Sequence, residues 1–370
     1  MNILNKKKEN ILISNINKEI FQINITENKK IDYISFAKIL ASFSVVILHT
    51  NGKFWHFDYN IYKKYWISAN IIECIFYFAV PIFVLCIGAT LLNFNERYGI
   101  IKYYKKRIVK VIIPLLGWTF LLYFYKVYFI KNLNKGKITF EFIWNLYYGH
   151  KVYGIFGSLH SFLLIYMIIP LLAYVEKSKK IKIYAYCFTG LLLCQAFFPY
   201  IITVFHLNLI WIYNINVGYL IYIFAGHIIH YYTFSKIKKI IIYCLGIFGL
   251  LIHIFGTQIL TLKYKKIILF HKGYLNLPCI LYSCSLFLFI KENSNLIFKF
   301  IHRKFIIKIG SLTIGPFFIH PPIIELSFKY FKIDGYSFIY RLFGGIIISI
   351  ICFIITFFIK KIPIINYLVP

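Results

Sequence analysis

The chain is short of acid and short of charge in general. Only 12 Asp and Glu stand against 42 Lys and Arg in 370 residues, and charged residues make up 15% of the whole. A soluble domain carries nearer a quarter, so a charge-covered soluble surface is excluded. Cysteine pairing motifs are also missing. None of the eight cysteines stands in a Cys-x-x-Cys pair, which leaves no zinc spacing and reads Cys74, Cys86, Cys187, Cys194, Cys244, Cys279, Cys284 and Cys352 as small core residues. His227 and His230 lie three apart without a nearby carboxylate. With His206, His253 and His271 they read as pore-lining or structural, and no metal is expected. No small-residue cleavage site follows the first apolar run, so no signal peptide is expected. There is no repeat of fixed period and no sign of a second domain.

What is present is apolar. The sequence is 60% hydrophobic and 21% aromatic, with mean hydropathy +0.72, as in an all-α, polytopic integral membrane protein. The net charge of +30 would suggest nucleic acid in a soluble chain. Here the lysines occupy short loops between apolar runs, so no nucleic-acid partner is expected; the partner implied is the lipid bilayer. About ten transmembrane helices are predicted, over 34–51, 67–92, 111–130, 158–175, 183–205, 208–232, 239–259, 267–290, 309–328 and 338–359. They divide the chain into a basic leader, 1–31, a membrane domain, 32–362, and a short tail, 363–370. With the amino terminus inside, the cytoplasmic segments hold about 25 Lys and Arg against about 12 outside, which predicts that both termini are cytoplasmic.

Within the first span, Ser35, Lys38, Ser42 and His49 fall on a stripe about 60° wide, while the facing positions are mostly apolar. Lys38 and His49 are eleven residues apart, so they share a face and stand about 16 Å apart along the helix. An ionisable group within an apolar span reads by default as a site. The alternative is that Lys38 snorkels to the headgroups while His49 merely ends the span.

Further along, Pro81 can kink the second span, and Gly88 with Ala89 admits a close helix neighbour. Glu73, one of the few carboxylates near the membrane, calls for either a lysine partner or contact with a substrate. Arg107 and Lys110, three apart in the basic run Lys102–Lys110, can hold a multiply charged phosphate or serve only as positive-inside anchors. Lys110 lacks the planar fork of an arginine. The outer segment 131–160 gathers Trp144, Tyr147, Tyr148, His150, Lys151, Tyr153 and His160, suited to an interfacial belt or to stacking on a sugar ring. The ninth span carries Pro316, His320, Pro321, Pro322 and Glu325; a helix broken by proline belongs against protein or a wet cavity.

Five stretches of the chain together resemble membrane acyltransferase family 3, whose members O-acylate sugars and polysaccharides. Lys38-x10-His49 is similar to the Arg/Lys-x10-His signature of its first span. Val80-Pro-Ile-Phe-Val-Leu-Cys-Ile-Gly88 is similar to its Val-Pro-Leu-Phe-Phe-x-x-Ser-Gly. Arg107-x-x-Lys110 with Pro114 resembles Arg-x-x-Arg followed by Ile-x-Pro, and Ser311-x-Thr313-x-Gly315 through His320-Pro321 resembles a motif near the family's carboxyl end. Leu159-His160 with Tyr166 and Pro170 resembles the fourth span. The resemblance implies an acyltransferase transferring groups other than aminoacyl groups, in the cell (inner, cytoplasmic) membrane. It would use acyl-CoA, most simply acetyl-CoA, as co-substrate with no permanently bound cofactor. Its acceptor would be a sugar hydroxyl of a surface polysaccharide or its lipid-linked precursor. His49 and Lys38 would then be catalytic, Lys38, Arg107 and Lys110 would hold the CoA, and His160, His320 and Glu325 would face the acceptor. The chemistry is compatible, because acyl transfer to a hydroxyl needs a base near neutrality, and His49 is placed to be that base or to carry the acyl group. A transporter is the alternative, since polar stripes and broken helices also line substrate pathways, although no paired inverted halves are visible. A non-enzymatic scaffold for lipid or polysaccharide assembly is a third reading.

Overall fold

The computed structural model describes residues 32–59, 63–130, 143–144, 152–154, 157–207 and 217–370. The leader 1–31 and most of the aromatic segment 131–160 lie outside the described residues, and of 63–64 and 157–160 only the backbone is described. Every regular element among the described residues is helical. The longer ones are, in chain order, α1 Asp32–Thr50, α2 Lys63–Phe76, α3 Ala79–Leu91, α4 Ile100–Ile130, α5 Gly157–Ala173, α6 Lys180–Val204, α7 Leu220–Tyr231, α8 Lys236–Tyr264, α9 Leu277–Glu292, α10 Arg303–Gly310, α11 Ile314–Phe331 and α12 Tyr340–Ile359.

Each of the ten predicted segments contains a helix, but among the described residues six helices are long and apolar enough to cross a membrane, or seven when the bent pair α10 and α11 is counted as one. The shortfall has visible causes. Helix α7 spans only 12 residues, and α9 ends on Lys291 and Glu292, which shorten its apolar stretch. The second span is one continuous candidate, Tyr65–Glu96, that contains the junction between α2 and α3. The helix restarts at Ala79, so Pro81 sits in the first turn of α3, where its missing N–H has no intrahelical partner to lose.

The ninth span differs from expectation in where it breaks. Helices α10 and α11 meet at 65° across residues 311–313, ahead of Pro316, and α11 then runs on through Pro321 and Pro322. Close packing on both sides of the bend explains its position. A Cβ on Gly310 would lie 2.7 Å from the Ser35 Cβ on α1, and one on Gly315 would lie 2.0 Å from the Thr356 Oγ1 on α12.

Helix α1 occupies the interior of the bundle. Of its apolar window 61% is buried, against 6% for α6, whose side chains mostly face outward as a lipid-facing helix would. Its neighbours are identified by contacts along its length: Tyr33 Oη with His230 Nδ1 on α7 at 2.7 Å, Ser42 Oγ donating to the Thr313 carbonyl at 3.3 Å, and Phe43 stacked on Phe353 of α12. The α3–α7 crossing is set by glycine on both sides. A Cβ on Gly88 would come within 2.1 Å of the Ile223 carbonyl oxygen, and one on Gly226 within 2.1 Å of that of Leu85. Only hydrogen fits, so the two backbones approach as small-residue membrane interfaces do. The carboxyl-terminal segment also packs inward: Trp118 Nε1 of α4 donates to the Leu368 carbonyl at 2.9 Å, and Val369 is fully buried.

Candidate functional site

A cavity of about 510 Å³ opens among α1, α3, α4, α5, α10 and α11. Six cations line it: Lys38, Arg97, Lys106, Arg107, Lys110 and Lys360. No Asp or Glu is among its lining residues. Six cationic side chains with no Asp or Glu among them repel one another and attract a polyanion, so the electrostatics of this cavity favour a phosphorylated guest.

Arg107 is the most constrained of the six. Its guanidinium lies 5.6 Å from the Tyr103 ring centroid and 5.3 Å from that of Tyr166, and its buried Nε has no hydrogen-bond partner among the described residues. Tyr103 in turn donates to the Tyr166 carbonyl at 2.9 Å, which ties α4 to α5 beneath the cation. Lys110, exposed within the wide helical turn Ile108–Ile112, lines the same cavity. Lys106 lies over the Tyr98 ring, 3.9 Å from its centroid. Lys360, beyond the end of α12, donates to the Ser311 carbonyl at 3.0 Å, across the bend between α10 and α11.

On α1, Lys38 and Val45 face the cavity. His49 lies one turn past Val45, and its side chain is exposed while Leu48 and Thr50 on either side are buried. The polar stripe read from the sequence therefore runs from the cationic cavity, at Lys38, to the far end of the same helix. There His49 meets His320 of α11, the ring centroids 4.9 Å apart at 43°. His320 is fully buried. Its Nδ1 is 2.7 Å from the Pro316 carbonyl, which can only accept, so Nδ1 carries the proton. In the neutral ring Nε2 is then an acceptor, and it has no partner among the described residues. On the cavity side Phe317, three residues before His320, belongs to the lining.

The remaining predicted site residues are dispersed. Glu325 lies further along α11, where Tyr153 Oη donates to its Oε2 at 2.5 Å. Lys126, at the far end of α4, sits over the Tyr153 ring 3.9 Å from the centroid. This second polar group stands on the His49 side of the bundle, away from the cationic cavity. His160 belongs to the first turn of α5, and its side chain is not described. Glu73 is paired, its Oε1 lying 3.2 Å from Lys272 Nζ with both side chains buried. His227 and His230 pack against Tyr184 and Tyr33.

Arg97, Lys106 and Lys360 are cavity residues that sequence reasoning counted only as positive-inside loop charges. Their spacing held no signal, because they reach the cavity from three separate segments. Tyr98 was hidden among 32 tyrosines for the same reason, and Tyr166 was marked only by the fourth-span resemblance, with no role attached to it.

The acyltransferase domain model matches residues 31–359, nearly the whole chain. No curated protein and no solved structure matches it. The matched region takes in α1 with Lys38 and His49, the cationic turn of α4 and the His320 segment of α11, so the polytopic helical bundle just described belongs to membrane acyltransferase family 3.

Proposed function

We propose that the protein is an O-acetyltransferase that carries an acetyl group from acetyl-CoA to a sugar hydroxyl of a surface polysaccharide or its lipid-linked precursor. The observation that carries this reading is the joining of two sites by one helix: Lys38 lies in a cavity of six cations and His49 lies against His320 about 16 Å further along.

In this reading the phosphates of CoA rest among Arg97, Lys106, Arg107, Lys110 and Lys360, at the cytoplasmic face. The pantetheine arm lies along α1 past Lys38 and Val45 towards His49. The acceptor enters from the other side, where Glu325 and Tyr153 offer a carboxylate and a ring to sugar hydroxyls. The acceptor oxygen attacks the thioester carbonyl as His49 takes its proton, and the tetrahedral intermediate collapses by breaking the C–S bond. The departing thiolate then receives that proton from His49, so the acetyl ester and CoA thiol leave the base unchanged. His320 Nε2, left without a partner beside the His49 ring, takes the N–H of His49 once the loaded site tightens, and so fixes which nitrogen of His49 is the base, the orienting part usual for the partner of a catalytic imidazole. Both chain termini lie on the cytoplasmic side, with the basic leader.

The test is release of CoA thiol from acetyl-CoA by the purified protein in lipid nanodiscs, with acetylated glycan followed by mass spectrometry in cells with and without it. Thiol release together with an acetylated glycan supports the reading. A protein that leaves acetyl-CoA intact while moving a solute would be a transporter instead.

A further inference from the structure

The last turn of α1 is fixed on its buried side by a chain of charges that sequence reasoning did not connect. Asn51, fully buried, follows His49 by two residues, and its backbone N–H still donates to the Ile47 carbonyl at 2.9 Å, so it continues the helical turn. Both polar atoms of its side chain have partners. Nδ2 donates to the Ala69 carbonyl at 2.9 Å and to Glu73 Oε2 at 3.1 Å, while Oδ1 accepts from Arg341 Nη1 at 3.2 Å. Two acceptors on one side and a guanidinium on the other leave a single orientation of the amide.

Each partner is itself held. Glu73 Oε1 meets Lys272 Nζ at 3.2 Å, and that ammonium is enclosed by the rings of Tyr77, Trp55 and Phe54 at 3.8, 4.5 and 4.7 Å. Arg341 at the start of α12 donates through Nη2 to Ser68 Oγ at 2.7 Å and through Nε to the Tyr336 carbonyl at 3.2 Å. Its own carbonyl accepts from Thr50 Oγ1 at 2.9 Å. Beside it Gly345 comes so close that a Cβ would lie 2.9 Å from the Ile47 Cα. Thus α1, α2, α12 and the segment carrying Lys272 converge on the one turn from which His49 projects.

We propose that Asn51, supported by Arg341 and by the buried Glu73–Lys272 pair, is a positioning residue that sets the rotation of this turn and hence the place of the His49 ring. The proposal rests on His49 being the base of the preceding section. Burying three charges for stability alone is a poor arrangement, since desolvation offsets most of the attraction. Fixing one geometry is what such a cluster does well, and small misplacements of a catalytic group are expensive in rate.

The experiment compares wild type with Asn51→Ala, and with the neutralised pair Glu73→Gln/Lys272→Met, in nanodiscs. Three readouts are taken: CoA release from acetyl-CoA, affinity for acetyl-CoA by calorimetry, and the rate at which diethyl pyrocarbonate modifies His49, read by mass spectrometry. Asn51→Ala is expected to slow CoA release about 10- to 100-fold, to leave acetyl-CoA affinity unchanged, and to alter the modification rate of His49. The neutralised pair keeps an acceptor for the Asn51 amide but loses the ion pair that holds it, and is expected to slow CoA release less than Asn51→Ala does. Should Asn51→Ala yield no folded protein, Arg341→Lys, which keeps the charge but loses the fork, is expected to show the same pattern. Wild-type turnover and wild-type His49 reactivity in Asn51→Ala, or in Arg341→Lys where only that variant folds, would overturn the proposal. A wild type that releases no CoA would instead sink the acetyltransferase reading, and the His49 modification rates would still decide whether Asn51 positions the ring.

Discussion

His49 and His320 sit ring to ring, 4.9 Å between centroids, although 271 positions separate them in the chain. The Pro316 carbonyl holds the Nδ1 proton of His320, so its Nε2 is left to accept. Pro321 and Pro322 remove the amides that would have bonded the carbonyls of Phe317 and Phe318, which opens the backbone around this imidazole.

His320→Ala is therefore expected to lower the turnover number about 10- to 100-fold by loosening His49, with the Michaelis constant for acetyl-CoA unchanged. His320→Gln, whose amide oxygen can still accept, is expected to recover part of that loss. Steady-state thiol release for both variants checks the ordering, and equal loss in the two would remove the acceptor role.

Arg107→Ala is expected to act on the donor side. A hydrogen bond to a charged group contributes about 1.5–3 kcal/mol, so the Michaelis constant for acetyl-CoA should rise about 10- to 100-fold. The amount of membrane-inserted protein should hold, because the remaining cations of that loop still satisfy the topology bias. Parallel loss of insertion and activity would return Arg107 to an anchoring role.

Lys38→Ala is expected to weaken acetyl-CoA use, and Lys38→Arg to retain much of it, because arginine keeps the positive charge that Lys38 brings to the cavity lining. Titration of thiol release against acetyl-CoA concentration separates the two. Similar defects in both variants would argue for a role specific to the ammonium.

Gly88→Leu tests the fold without touching the site. Its Cβ would collide with the Ile223 carbonyl at 2.1 Å, and overpacking of this kind costs about 1–3 kcal/mol or more when backbone must yield. The detergent-solubilised protein should melt earlier, whereas Cys244→Ser, at an exposed thiol of α8, should not change its melting point.

The helical membrane architecture was legible because apolar runs and loop lysines report directly on the bilayer. The face shared by Lys38 and His49 was legible because helical periodicity fixes it within a single element. The partners of that face were not. His320, Lys360 and Arg341 reach it from far along the chain, and a 65° bend across residues 311–313 carries no proline to announce it. The pairing of Glu73 with a lysine was one of two readings open from the sequence, yet nothing in the spacing singled out Lys272, 199 residues away. The expected count of ten spans is not confirmed among the described residues, where some helices are short, as in the 12 residues of α7, since hydropathy marks an apolar stretch without fixing how much of it is helix.

The most direct measurement is acetyl transfer by His49→Ala at matched amounts of folded protein, with acetyl-CoA affinity determined in the same preparation. If His49 is the base, CoA release and acetylated glycan should fall about 10²–10⁴-fold while acetyl-CoA still binds the cationic cavity. Near-normal product from His49→Ala would contradict the proposed mechanism outright.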